Sequence, residues 1–249
     1  MTPHPTTQPR TTQRPTTPRP TTQRSAETKY DISETAMGLF LERGYENVTV
    51  EDVAEAVGVS RRTIFRYFDS KDELAFPDHT ERIHLVESRL AELAPTVDPV
   101  EAVIAATEAS LRDFLRRPEL AVRRYQLTRI VPQLRDREVI ENERYVRCQR
   151  AFLREHLPAG SPHFQSVALA ALIDGIHRSA LGNWVRSEGR TDALAELAEG
   201  MEWVRSLVER GNDSAGDGDD PGLLVAVLPD TARTRRTLTQ LRDDARENL

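Results

Sequence analysis

Between Ser60 and Lys71 the chain places four basic residues, Arg61, Arg62, Arg66 and Lys71, against a single acid, Asp69. Hydroxyl and aromatic side chains, Ser60, Thr63, Phe65 and Tyr67, are interleaved with them. An arginine fork can bond the O6 and N7 atoms of guanine together, and hydroxyls and lysines can hold phosphate oxygens. The chemistry on offer is hydrogen bonding to a nucleic acid rather than covalent catalysis. The whole chain carries a net charge of -6. A local basic patch on an acidic body attracts phosphate where it touches and repels it elsewhere, which favours one docking orientation.

The surrounding residues read as the elements that would position this patch. Thr49 is a helix N-cap, and Asp52 three residues on makes an approximate capping box with it. Val50, Val53, Ala54 and Val57 then give one apolar face of a short helix. Gly58 stops that helix because glycine tolerates a left-handed C-cap. Ser60 caps the next helix, in which Ile64 and Phe68 face inward and Arg62 and Arg66 lie opposite. Ser70 with Glu73 is a full capping box, so a third helix is expected to start there. Two short helices joined by a three- to four-residue turn containing glycine form a helix-turn-helix. A hairpin with a merely solvated basic face is the alternative that the arginines alone leave open; the caps, the Gly58 turn and the aromatics weigh against it.

Residues Ala36 to Leu74 resemble the DNA-binding domain of the tetracycline-repressor (TetR/AcrR) family of bacterial regulators. The resemblance rests on LFLERGYENVTVEDVAEAVGVSRRTIFRYFDSKDEL: the Gly44-Tyr45 turn, Thr49-Val50, Gly58-Val59-Ser60, the Phe65-x-Tyr67-Phe68 aromatics and Ser70-Lys71. It covers about 40 residues; beyond them only the helical layout is similar. The resemblance implies an all-α homodimer, with an N-terminal three-helix domain and a C-terminal helical bundle for ligand binding and dimerisation. It also implies a regulator, usually a repressor, released from a palindromic operator by a small molecule. A recognition helix meets base edges through its N-terminal residues. Arg61, Arg62 and Thr63 would therefore read bases, Phe65 would meet a thymine methyl, and Thr49, Ser60, Tyr67 and Lys71 would hold phosphates.

The rest of the chain divides by composition. Residues 1–24 are Thr, Pro, Gln and Arg with almost no apolar side chain, so a disordered basic tail is expected. The helix-turn-helix domain spans 25–76, with a first helix from Ser25 to Arg43 presenting Ile32, Ala36, Leu39 and Phe40 inward. A helical ligand-binding and dimerisation domain spans 77–210. Its expected helices are a long one from Ser70 to Ala94 that carries Pro77, one opened by Asp98-Pro99, and one opened by Pro118 and broken by Pro132. Three more follow, over about 135–157, 162–187 and 191–210. Residues 211–249 are an acidic linker and tail.

The helix over 162–187 is apolar nearly all round, so it should be buried on several sides and meet a partner subunit through Ala168, Ala171, Gly175 and Gly182. Its polar exceptions, Asp174, His177, Arg178 and Trp184, are expected to point into a ligand cavity with Tyr125, Gln126 and Arg129. A self-satisfied polar network is the competing reading.

No P-loop, dinucleotide fingerprint, C-x-x-C or H-E-x-x-H is present in the sequence. Cys148 and His156 sit eight residues apart, about 12 Å along a helix and too far for a thiol–imidazole pair. No enzyme activity, cofactor or metal is expected. A helical interaction module or a bundle enzyme without DNA binding is the alternative class. One cysteine and no apolar run approaching 18 residues fit a cytoplasmic protein away from the membrane.

Overall fold

The computed structural model describes residues 21–213, with side chains from Glu27 to Glu209. Most of the expected N-terminal arm and nearly all of the C-terminal tail lie outside these residues. Every extended element among the described residues is a helix.

The first helix, α1, runs Thr21–Arg43, four residues earlier than its expected start. No breaker separates Pro20 from the amphipathic stretch. Helix α2 (Val50–Val57) follows as the sequence leads one to expect, while helix α3 is Arg61–Phe65, shorter than expected, so that Arg66, Tyr67 and Phe68 lie in the turn beyond it. Their caps are the expected ones, and Ile64 and Phe68 are buried beneath α3.

The long helix expected from Ser70 does not form. A short 3-10 turn, Asp72–Ala75, comes first, and helix α4 is His79–Leu93. Pro77 is the cause: it has no N–H to donate, and its ring would clash with the carbonyl four residues back. The Ser70 box also stays half-made. Ser70 Oγ accepts the Glu73 N–H at 3.4 Å, but the Glu73 carboxylate accepts from the Asp69 N–H at 2.7 Å instead of closing on Ser70.

Helix α5 is Pro99–Phe114, with the Asp98 carboxylate accepting from the N–H groups of Val100 and Glu101 at 2.8 and 3.3 Å. Helix α6 is Pro118–Ile130, and α7 is Pro132–His156. Pro132 therefore opens α7 as its first residue, where a missing N–H costs nothing, and the expected start at Arg135 is three residues late. Helices α8 (His163–Arg186) and α9 (Ala193–Asp213) form a hairpin. Gly200 on α9 allows their close approach: a Cβ there would lie 2.3 Å from Ile176 Cγ2.

Two apolar cores result. One joins α4, α5, α8 and α9, with Ala121 of α6 and Leu153 of α7. The other lies under α1–α3 but includes Leu120 and Leu127 of α6, Val131, and Leu134 of α7. Helix α6 thus belongs to the core of the N-terminal domain as well as to the bundle.

Candidate functional site

The head formed by α2 and α3 is held by local chemistry. Thr49 Oγ1 accepts the Asp52 N–H at 3.1 Å while the Asp52 carboxylate accepts from the Thr49 N–H at 2.6 Å, a complete capping box. These bonds from Thr49 hold the Asp52 carboxyl below its usual range. Gly58 takes the left-handed conformation, φ 72°, at the turn. Ser60 Oγ accepts the Thr63 N–H at 3.1 Å and lies 2.8 Å from Thr63 Oγ1.

What this scaffold presents to solvent is Arg61, Arg62, Phe65 and Arg66. Arg61 pairs with Glu51 at 2.7 Å and stacks on Phe65, which is 42% exposed. Arg66 lies over the Tyr67 ring and donates to its hydroxyl at 3.1 Å. Arg62 makes no ion pair with the described residues. Lys71 faces inward: its Nζ donates to the Tyr45 carbonyl at 2.5 Å and sits 4.0 Å from that ring's centroid. It works as a strut between the turn after α1 and the segment after α3.

The second feature is a cavity of about 420 Å³ enclosed by α4–α8. Of the residues expected there, Tyr125, Arg129, Asp174, His177 and Arg178 line it. Gln126 does not: it is exposed on the outer side of α6. Trp184 does not either. It is 7% exposed within the apolar core and packs against Gly189, so its bulk serves the hairpin turn. Gly182, expected at a partner interface, lies on the cavity side under the Arg186 guanidinium.

Burial pushes the His177 imidazole down to about 4, with Arg82 and Arg178 adding to the effect. Asp174 is raised by burial even though Arg178 donates to it at 2.8 Å.

Sequence reasoning missed the buried charges at this cavity, where Arg82 and Arg124 line it and both pair with Asp78. Asp78, Arg82 and Arg124 are each under 8% exposed. Arg124 donates to Asp78 at 2.9 Å, and Arg82 donates to its other carboxylate oxygen. Burial alone would raise the Asp78 carboxyl, but Arg124 and Arg82 hold it well below the usual carboxylate range. Beside them His79 is kept neutral, its pKa driven down by burial and by Arg124. The Tyr145 hydroxyl donates to the His79 carbonyl at 3.3 Å, and burial lifts that phenol to about 12. The only hint in the chain was the Asp78–Arg82 spacing of four.

With this geometry in view, the comparisons are consistent. The model of the bacterial regulatory proteins of the tetR family matches residues 32–76. The HTH-type transcriptional repressor Rv1474c of Mycobacterium tuberculosis is 36% identical over 206 residues, covering 82% of this chain and 90% of that protein. The HTH-type transcriptional repressor AcnR of Corynebacterium diphtheriae is 30% identical over 191 residues, covering 70% of this chain and 89% of its own.

The chain belongs to the tetR family.

Among solved structures, the fatty acid degradation regulator FadR from Bacillus halodurans superposes with a TM-score of 0.52 at 22% identity, covering 70% of this chain and 93% of that one, a likeness of fold. As a tetR-family protein this chain is a DNA-binding transcriptional regulator and not an enzyme. As such a regulator it has DNA as a partner. The remaining chemical candidates fit that role. Burial raises the Cys148 thiol to about 11, far from a thiolate, and His156 is stacked on Phe152. Among the described residues no helix is long and apolar enough to cross a membrane.

Proposed function

We propose that this tetR-family regulator is a cytoplasmic repressor that holds a palindromic operator as a homodimer and releases it when a small molecule fills the cavity. The observation that carries this is helix α6. Its Leu120 and Leu127 are part of the core beneath the reading head, while its Arg124 lines the cavity and grips Asp78 at the start of α4. A molecule that displaces Arg124 moves α6, α4 and the head together. Bound effector then favours a dimer whose two heads no longer match successive major grooves.

In this reading Arg61, Arg62 and Thr63 contact base edges and Phe65 a thymine methyl. Thr49, Ser60 and Tyr67 hold phosphates, with Lys71 joining them from the position its Tyr45 contact sets. Arg61 exchanges its surface pair with Glu51 for DNA, a small cost because an exposed ion pair is worth about 0–1 kcal/mol. The dimer forms through the outward face of the α8–α9 hairpin. Phe164, Val167 and Trp203 are exposed there, and a Cβ on Gly175 would meet nothing within 4 Å.

The test is selection of bound fragments from genomic DNA by the full-length protein. The expected product is a two-fold symmetric site with half-site centres about 10 base pairs, or a multiple, apart. Recovery of fragments without a shared sequence, or of single half-sites, would count against the proposal.

A further inference from the structure

The cavity carries an electrostatic pattern that the body of the protein does not. Six arginines line it against two carboxylates, Glu138 and Asp174, in a chain whose net charge is -6. Most of these arginines are already occupied. Arg82 and Arg124 share Asp78, and Arg178 is paired with Asp174. Arg135 is spent on the backbone carbonyls of Thr128 and Arg129, at 3.1 and 2.8 Å.

Arg129 and Arg186 remain without a charged partner, Arg186 donating one N–H to the Asn183 side-chain oxygen. Neither makes an ion pair with a carboxylate among the described residues. Arg129 lies over the Tyr125 ring, 4.6 Å from its centroid. Arg129 and, more weakly, Arg186 pull the Tyr125 phenol below its usual range, so both guanidinium groups approach that one hydroxyl. Two like charges gathered at a cavity mouth, on α6 and α8, are stabilised by an anion placed between them. Glu138 lies within the field of Arg129, which opposes the rise that burial imposes on its carboxyl, but the two form no ion pair.

A second observation comes from α7. Gln149 is 4% exposed, its amide N–H donates to Thr107 at 3.0 Å, and its Oε1 has no hydrogen-bond donor. A buried acceptor left bare is costly, and this one lines the cavity. The apolar part of the lining includes Val86, Phe114, Leu181 and Val185. The volume, about 420 Å³, is that of a site for a metabolite-sized molecule.

We propose that the cavity takes an amphipathic organic anion, its carboxylate, sulfonate or phosphate held between Arg129 and Arg186 and its apolar body against Val86, Phe114, Leu181 and Val185. The proposal names the chemical class of effector and rests on the reading that this cavity is the effector site. Arginine suits the task because its planar fork binds an oxyanion through two donors at once and is weakly hydrated.

The experiment compares two fluorescent probes of nearly the same shape on the full-length dimer: anilinonaphthalenesulfonate, which is anionic, and N-phenylnaphthylamine, which is not. The anionic probe is expected to bind about tenfold more tightly or better, the scale of one charge-assisted hydrogen bond. The Arg129→Gln/Arg186→Gln variant should lose that advantage while its affinity for the neutral probe stays within about twofold, which shows the cavity intact. Equal binding of both probes by the wild type overturns the proposal, as does a variant that loses both probes alike. Release of labelled operator is read in the same titrations. Tight anionic binding without release keeps the anion site and removes the effector reading. Release by both probes without preference keeps the effector reading and removes the anion site.

Discussion

Asp78→Asn is the substitution that most directly probes how the two halves of the molecule are joined. Asp78 stands at the N-cap position of α4, yet its carboxylate does not cap the helix. It lies between Arg82 and Arg124, and all three groups are more than nine-tenths buried. The Nε atoms of both arginines have no hydrogen-bond partner, so the carboxylate is the main compensation for two desolvated charges. Breaking a buried pair from one side typically costs about 3–5 kcal/mol, because a charge is left uncompensated. Asparagine keeps an acceptor oxygen, and Asp113 lies 3.9 Å from Arg82 Nε, so the lower end, about 3 kcal/mol, is expected. With a denaturant slope of about 1–3 kcal/mol per molar urea, the midpoint should fall by about 1–3 M at pH 7.

The pH dependence supplies a second check. The folded Asp78 carboxyl is depressed below its ordinary value of 3.8, so its contribution is present above that pH and lost as pH falls further. The gap between wild type and variant should therefore persist at pH 5 and close below about pH 4. Replacing Arg124 by Met alongside Asp78→Asn should recover part of the loss, since one buried charge is then removed. A midpoint within about 0.3 M of wild type would refute the view that this triad is a buried electrostatic joint.

Other outcomes follow from the same geometry. Arg62→Ala should cost about 1–3 kcal/mol of specific binding and relax preference at one operator position per half-site; fluorescence anisotropy on single-base operator variants checks this, and a uniform loss on all sequences would assign Arg62 to phosphate instead. Gly175→Leu should yield a folded monomer by light scattering that no longer binds operator, whereas Gly200→Leu, whose Cβ would collide with Ile176, should lose thermal stability; a dimeric Gly175→Leu protein would move the interface off this face. His177 is neutral in the folded state with its pKa lowered to about 4, so the unfolded chain takes up the proton first as pH falls through 6.5. Stability should drop by about 2 kcal/mol between pH 7 and pH 5 through this ring, and His177→Gln should drop by less in the same urea titrations; equal losses would contradict the burial of the imidazole.

What the sequence determined alone is what neighbours along the chain can decide. The Thr49–Asp52 box, the left-handed Gly58, the Ser60 cap and the inward Ile64 and Phe68 are all settled within four residues, so the reading head was legible before any fold was known. Prolines marked the helix starts at Pro99 and Pro118 for the same reason. Pro77 and Pro132 were harder: whether a proline breaks, resets or opens a helix depends on where the flanking backbone finds its hydrogen bonds.

Charges on helices were the least legible, because burial is a tertiary property. Arg82 and Arg124 look like any solvated helical arginine until α4 and α6 meet over Asp78, where desolvation turns them into a joint. Gln126 and Trp184 were assigned to the cavity from polarity and size. The roll of α6 and the packing of Trp184 against Gly189 turned both away, since a helix face is fixed only by what packs against it.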